Sequence, residues 1–325
     1  MSCTNKKKIL EIEELSVSFL QYEGKSSRQS WLPVISGLSV AVRKGELVAV
    51  VGSSGSGKSL LAHAIMGILP YNARVSGNIK FQGETLDESR IRKLRGNEIA
   101  FVPQSTMYLD PLMKVGKQVR GKAGKKAGSL QKKLFKRYGL PENTEEKYPF
   151  ECSGGMTRRI LLTTALMGNP KLIIADEPTP GMDLELAKKS MEDFRRFADE
   201  GNGVLLITHD IELALQVADR IVVFYAGKTV EEAPVSDFRT EETLRHPYTK
   251  ALWRALPQNG FTPLAGTQPY VKDMPEGCPF EPRCSWQQDR CKGEIPMVQV
   301  GCGSVRCVRY CERKSISGQI VEENN

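Results

Sequence analysis

Apolar residues fall along this chain in two patterns. Residues 47–51, 99–102, 172–175, 204–207 and 221–224 are short apolar runs without polar interruption. Such runs suit strands buried on both faces of a parallel sheet. Residues 9–21, 38–42 and 78–82 instead partly alternate apolar and polar positions, which predicts half-buried strands in an antiparallel flank. Helix-compatible segments lie between the runs, among them 60–66 and 184–198. The alternation of strand and helix predicts an α/β fold with a parallel sheet. Residues 113–150 interrupt it with a basic, predicted-helical insertion, whose first half is weakened as helix by Gly121, Gly124 and Gly128. After residue 256, Pro, Gly and Cys rise and long apolar runs end. A boundary is expected there, with a small appended module held by something other than a large core.

Composition narrows the class. The length of 325 residues suggests roughly two domains. No apolar stretch approaches the roughly 20 residues needed to span a bilayer. The first residues, Met1 to Lys8, lack the apolar run of a signal peptide, so a cytoplasmic location is expected. The net charge of +8 permits nucleic acid or anionic headgroups as partners. Ten of the basic residues lie between Met113 and Arg137 with no acid among them. That stretch reads as a solvated helix face or as a surface for headgroups or an acidic partner. No basic groove interleaved with aromatics is visible, so no nucleic-acid role is expected. Six of the eight cysteines lie from Cys278 to Cys311, and in a cytoplasmic protein such a cluster suggests metal before disulfides.

The chemistry-bearing residues follow the buried runs. Gly52-Ser53-Ser54-Gly55-Ser56-Gly57-Lys58-Ser59, then Leu60, stands between the run at 47–51 and a helical segment. This is a complete phosphate loop in its strand–loop–helix setting. Its backbone N–H groups would close around phosphate oxygens, Lys58 would reach the β- and γ-phosphates, and Ser59 would ligate Mg²⁺. The run at 172–175 ends in Asp176-Glu177. Asp176 can hold Mg²⁺ beside the loop, and Glu177 can activate a water as general base. Gln104 follows the run at 99–102 and can reach Mg²⁺ or that water. His209, one of three histidines, follows the run at 204–207 on the ligand-binding edge of such a sheet. Cys152-Ser153-Gly154-Gly155-Met156 precedes another helical run and could bind a second phosphate. One nucleotide cannot readily use both devices, which implies a second copy of the fold.

The order of phosphate loop, Gln104, Ser153-Gly154-Gly155, Asp176-Glu177, Asp183 and His209 resembles the nucleotide-binding subunit of an ABC transporter. The resemblance covers residues 9–257. It implies a P-loop NTPase core of the ABC ATPase type with an antiparallel β flank and a helical subdomain at 105–165. It also implies a head-to-tail sandwich of two such subunits, with ATP and Mg²⁺ between them. Ser153, Gly154, Gly155 and Met156 would then face the partner's ATP. Asp183 would lie at the dimer seam, and His209 would contact the γ-phosphate. Mg²⁺ would fall to Ser59, Gln104 and Asp176. Phe19 and Tyr22 are candidates to stack on adenine.

His246-Pro247-Tyr248-Thr249-Lys250-Ala251-Leu252 and the Tyr148-to-Arg159 run are similar to hallmarks of the dipeptide/oligopeptide/nickel importer branch. Cys278, Cys284, Cys291 and Cys307, in a module at 258–325, look like the cysteine tail of its peptide-importing members. In some of these, four such cysteines hold a [4Fe–4S] cluster. Zinc or reduced structural thiols are the other readings. The branch implies two permease subunits, a second ATPase subunit and an extracytoplasmic binding protein, at the cytoplasmic face of the membrane. Peptide is the expected cargo and nickel or a metal chelate the alternative. A soluble ATPase of a carbon–phosphorus lyase-like complex is the rival from another class. Departures from the family pattern are Cys152 for an apolar residue, Thr157-Arg158 for Arg-Gln, and Thr179-Pro180-Gly181-Met182-Asp183 at the seam.

Overall fold

The computed structural model describes residues 6–22, 29–121 and 126–311. The chain opens with two long strands, β1 (Lys8–Tyr22) and β2 (Gln29–Arg43), then crosses to a second sheet as β3 (Glu46–Val51). Helix α1 (Lys58–Met66) follows, and the chain returns to the first sheet as β4 (Ala73–Phe81) and β5 (Glu84–Thr85). After α2 (Glu88–Leu94) it re-enters the second sheet as β6 (Ile99–Val102). A helical excursion, α3 (Val115–Arg120), α4 (Gly128–Arg137) and α5 (Gly154–Leu166), leads to β7 (Leu172–Asp176). Then come α6 (Leu184–Asp199), β8 (Gly203–Thr208), α7 (Ile211–Val217), β9 (Arg220–Tyr225), β10 (Lys228–Pro234) and α8 (Pro247–Arg254). Two three-residue strands, β11 (Val298–Val300) and β12 (Gly303–Val305), precede the short α9 (Val308–Cys311).

The first sheet is antiparallel, in the order β2-β1-β4-β5. The second runs β11-β12-β10-β9-β3-β8-β7-β6, and its five strands from β9 to β6 are parallel. The expected architecture of parallel core, antiparallel flank and helical subdomain is the observed one. β3 shows why the apolar runs are unbroken. Leu47, Ala49 and Val51 pack into one core with α5, α6 and α7 residues, whereas Val48 and Val50 pack into another with β1, β2 and α1. Successive side chains point to opposite faces, and both faces are covered.

In β1 the buried positions are Ile9, Leu10, Ile12, Leu15 and Val17, the last four spaced for one face save for one step. The three-residue step from Ile12 to Leu15 would put the two halves on opposite faces of a regular strand. A register shift there, with Glu14 at φ 50°, restores the common face.

Residues beyond 257 are not packed apart from the rest. β12 pairs with β10, and Cys278, Phe280, Cys291, Ile295 and Val308 share the core that contains Leu47. The basic insertion is partly neutralised internally: Lys114 pairs with Glu146, Arg120 with Glu145, and Arg137 with Asp193 of α6. Tyr138, fully buried, donates its hydroxyl to the same Asp193 and ties the insertion to the core.

Candidate active site

The C-terminal ends of β3, β7 and β8 and the start of α1 meet in one cleft. A cavity of about 340 Å³ is lined by Ser54, Gly55, Gly57, Lys58, Ser59, Leu60, Gln104 and Glu177, with Val34. The loop that enters it needs glycine at its start, since a Cβ on Gly52 would lie 2.1 Å from the Phe224 carbonyl oxygen. Lys58, nearly buried, donates from Nζ to the carbonyls of Gly52 and Ser53, each at 2.8 Å. Burial lowers its pKa, against the attraction of Glu177 and Asp176. Ser59 Oγ donates to Asp176 Oδ1 at 3.1 Å. Burial pushes the Asp176 carboxyl up to about 6. Ser56 Oγ is buried without a hydrogen-bond partner in the floor of the loop.

Glu177 is the strained member. It adopts φ 46°, a left-handed conformation that costs a non-glycine residue about 1–3 kcal/mol. Its N–H donates to Ile207 O at 2.8 Å, and its Oε2 lies 2.9 Å from His209 Nδ1. His209 is thus paired with Glu177. Its ring is more than half exposed, beside the cleft rather than across it. Gln104 is exposed at the cleft mouth. Arg158, in α5, joins these parts: its Nη1 donates to the carbonyls of Gln104 (2.6 Å), Glu177 (3.2 Å) and Pro103 (3.4 Å). The sequence marked Arg158 only as a departure, and nothing in the pattern of motifs signalled this contact.

Ser153 and Asp183 lie outside the cleft. Each caps a helix, Ser153 Oγ accepting from Met156 N at 3.3 Å and Asp183 Oδ1 from Leu186 N at 2.9 Å. Gly154 and Gly155 open α5 next to Ser153. Within this chain none of them joins the residues lining the phosphate-loop cavity.

Comparison with known proteins gives the family of the chain. The model of the ABC transporter family matches residues 35–180, and that of the oligopeptide/dipeptide transporter C-terminal region matches 230–291. Two Brucella abortus (strain 2308) proteins named for peptide import and ATP binding are each 33% identical to this chain. One alignment covers 92% of this chain and 94% of the relative, the other 94% and 98%. The chain belongs to the ATP-binding subunits of the oligopeptide/dipeptide ABC transporter family. Among solved structures, an ATP-binding subunit of an ABC transporter has a TM-score of 0.60 at 24% identity, over 75% of this chain and 98% of its own. A dimeric ABC cassette in a post-hydrolysis state, bound to ADP and phosphate, has a TM-score of 0.59 at 25% identity, over 70% and 98%. The activity of this ABC subunit is ATP hydrolysis.

The fit of Mg²⁺ can be judged from the donors present. A buried carboxylate and a serine hydroxyl already in contact, beside a phosphate loop, are the hard oxygen donors that Mg²⁺ takes with nucleotide and water. The cysteines behave differently. Cys278, Cys284, Cys291 and Cys307 do line one cavity, together with His246, Trp286 and Arg309. Gly277 allows the close packing there, because a Cβ would lie 2.0 Å from the Cys291 carbonyl oxygen. The cavity, however, holds only about 10 Å³, room for a single water at most. Burial raises the Cys278 thiol to about 12 and also raises Cys284 and Cys307. Among the described residues no group of three or more His, Cys, Asp or Glu is placed to hold a metal ion. The iron–sulfur cluster that the resemblance implied therefore finds no support in this ABC subunit. Of the adenine candidates, Phe19 packs against the flank core and Tyr22 is exposed at the end of β1.

Proposed function

We propose that this ABC subunit hydrolyses ATP at the cleft to drive the import of di- or oligopeptides across the membrane. The observation that carries the reading is the convergence of Lys58, Ser59, Asp176 and Glu177 in one cleft with Gln104 at its mouth. In this scheme the loop N–H groups and Lys58 bind the triphosphate, and Lys58 exchanges the loop carbonyls for phosphate oxygens. Ser59 and Asp176, with Gln104, would hold Mg²⁺, which when bound would supply positive charge beside the phosphates. Glu177 takes the proton of the attacking water. His209 meets the Glu177 carboxylate through Nδ1 and would contact the γ-phosphate. Ser153, Gly154, Gly155 and Met156 serve the ATP of a second subunit across the seam marked by Asp183. The dimeric state of the neighbouring cassette supports that arrangement.

The exposed apolar side chains of Met107, Leu112 and Phe150, all between Gln104 and the Ser153 loop in sequence, suit coverage by a permease. The partners are then two transmembrane permeases, a second ATPase subunit and, through them, an external binding protein. No helix among the described residues is long and apolar enough to cross a membrane. As the partner of two permeases, the subunit would sit peripherally on the cytoplasmic face of the membrane. Peptide is favoured over nickel or a metal chelate by the oligopeptide/dipeptide region at 230–291 and by the names of the relatives. Purification of this chain from native membranes in mild detergent, followed by mass spectrometry, tests the proposal. Two multi-span permeases and a paralogous ATPase should accompany it. A soluble chain carrying only cytosolic enzymes would instead promote the lyase-type complex.

A further inference from the structure

The phosphate loop is held from behind by residues that the nucleotide chemistry does not use. Ser53 donates its N–H to Tyr248 Oη at 3.2 Å and its Oγ–H to Gln268 Oε1 at 2.8 Å. Tyr248 belongs to the His-Pro-Tyr-Thr run at the start of α8, and Gln268 lies in the stretch beyond residue 257. Both lead to the cysteines. The Tyr248 ring, 1% exposed, packs with Tyr225 at 4.4 Å and with Phe280 at 5.3 Å between centroids. Phe280 stands in the turn from Cys278 to Cys284. His246 accepts the Tyr248 N–H on Nδ1 at 3.1 Å. Its proton is therefore on Nε2, 3.9 Å from Cys278 Sγ. Arg283, beside Cys284, donates to Tyr225 Oη and to the carbonyls of Ala265 and Leu264, fixing the segment that carries Gln268.

We propose that Tyr248 and Gln268 are positioning residues for the phosphate loop, and that the cysteine-bearing stretch serves this subunit by bracing that loop in its nucleotide-ready shape. The inference rests on nucleotide binding at the loop and is independent of the cargo. A phosphate loop binds well only if its N–H groups already converge, because ordering them at the moment of binding subtracts from affinity. Ser53 is a lever on that order, since its carbonyl and that of Gly52 hold Lys58. Glu177 and His209 stand on other strands and do not touch Ser53. The brace therefore acts on nucleotide affinity and leaves the chemical step nearly unchanged.

The test titrates the purified full-length chain with ATP and measures kcat in the detergent-solubilised assembly. Tyr248→Phe deletes the hydroxyl and keeps the ring. Gln268→Ala alters a half-buried loop residue and folds even if the core variant does not. Each should weaken ATP binding about fivefold to tenfold, with kcat kept within about twofold. The double variant should lose less than the product of the two, because both act through Ser53. Unchanged ATP affinity in a folded Gln268→Ala chain, or a fall in kcat with affinity intact, would overturn the proposal.

Discussion

Glu177 keeps its place because three neighbours hold a conformation it would not choose. Ile207 O takes its N–H, Arg158 donates to its carbonyl, and His209 meets its carboxylate. Arg158 also fixes the Gln104 carbonyl, so one guanidinium on α5 sets the spacing between two sides of the cleft. Removal of that guanidinium frees the Glu177 peptide to relax. Arg158→Ala should lower kcat about tenfold while ATP affinity changes little, since hydrogen bonds from a charged donor are worth about 1.5–3 kcal/mol. Arg158→Gln, with a shorter neutral donor, should recover part of the loss. Steady-state kinetics on the assembly separate the two constants. The carboxylates themselves were legible, because an apolar run ending in Asp176-Glu177 about 120 residues after a phosphate loop has few other readings. The strain was not legible, since no side chain in the local sequence announces φ 46° at a glutamate.

At the level of elements, apolar runs located the five parallel strands and alternation located β1 and parts of β2 and β4, because burial on two faces or one writes itself into residue type, whereas β10 went unpredicted because Thr229, Glu231 and Glu232 break its apolar pattern. The alternation in β1 failed locally at Glu13-Glu14, where the bulge absorbs the extra residue. β11 and β12 escaped notice for a different reason. Three residues are too few to carry a pattern, and these strands exist because β10 offers an edge to pair with. Beside the same edge lies a buried charge of the sheet. Arg220 of β9 donates from Nε to Glu46 of β3 at 3.0 Å, pairs with Glu232 of β10, and reaches the Ala41 carbonyl of β2 at 2.5 Å. The guanidinium links four strands of both sheets. Arg220→Met should cost about 1–3 kcal/mol, because it takes from the buried Glu46 the closer of its two arginine partners and leaves only Arg43, at 3.4 Å. Urea denaturation followed by circular dichroism would show the lowered midpoint.

At the scale of the molecule, the proposed function divides the residues by the subunit they would serve. Lys58, Asp176 and Glu177 face this chain's own cleft, while Ser153 and Gly154 open a helix elsewhere on the surface. Gly154 has open space where a Cβ would be, with no heavy atom within 4 Å. Gly154→Asp should therefore fold normally and bind ATP at its own loop. It should nonetheless block hydrolysis in the assembly, because a carboxylate would meet the partner's phosphates. Retained hydrolysis with normal assembly would remove Gly154 from the seam. The cysteine stretch was legible as a group of four but not in its purpose. The four cysteines line one cavity, whereas the packing that links them to Ser53 passes through Phe280 and through Tyr248, which the sequence marked only as part of a family run.

The account stands on Glu177 as the residue that activates water in a cleft that binds ATP without it. Glu177→Gln keeps the size and the contacts to Arg158 and Ile207, and removes only the basic carboxylate. ATP turnover by the purified assembly, measured beside ATP binding, is the direct test. The account predicts binding at the level of the unaltered protein and turnover reduced about a thousandfold. Turnover at the unaltered rate would contradict it and assign the base to another residue.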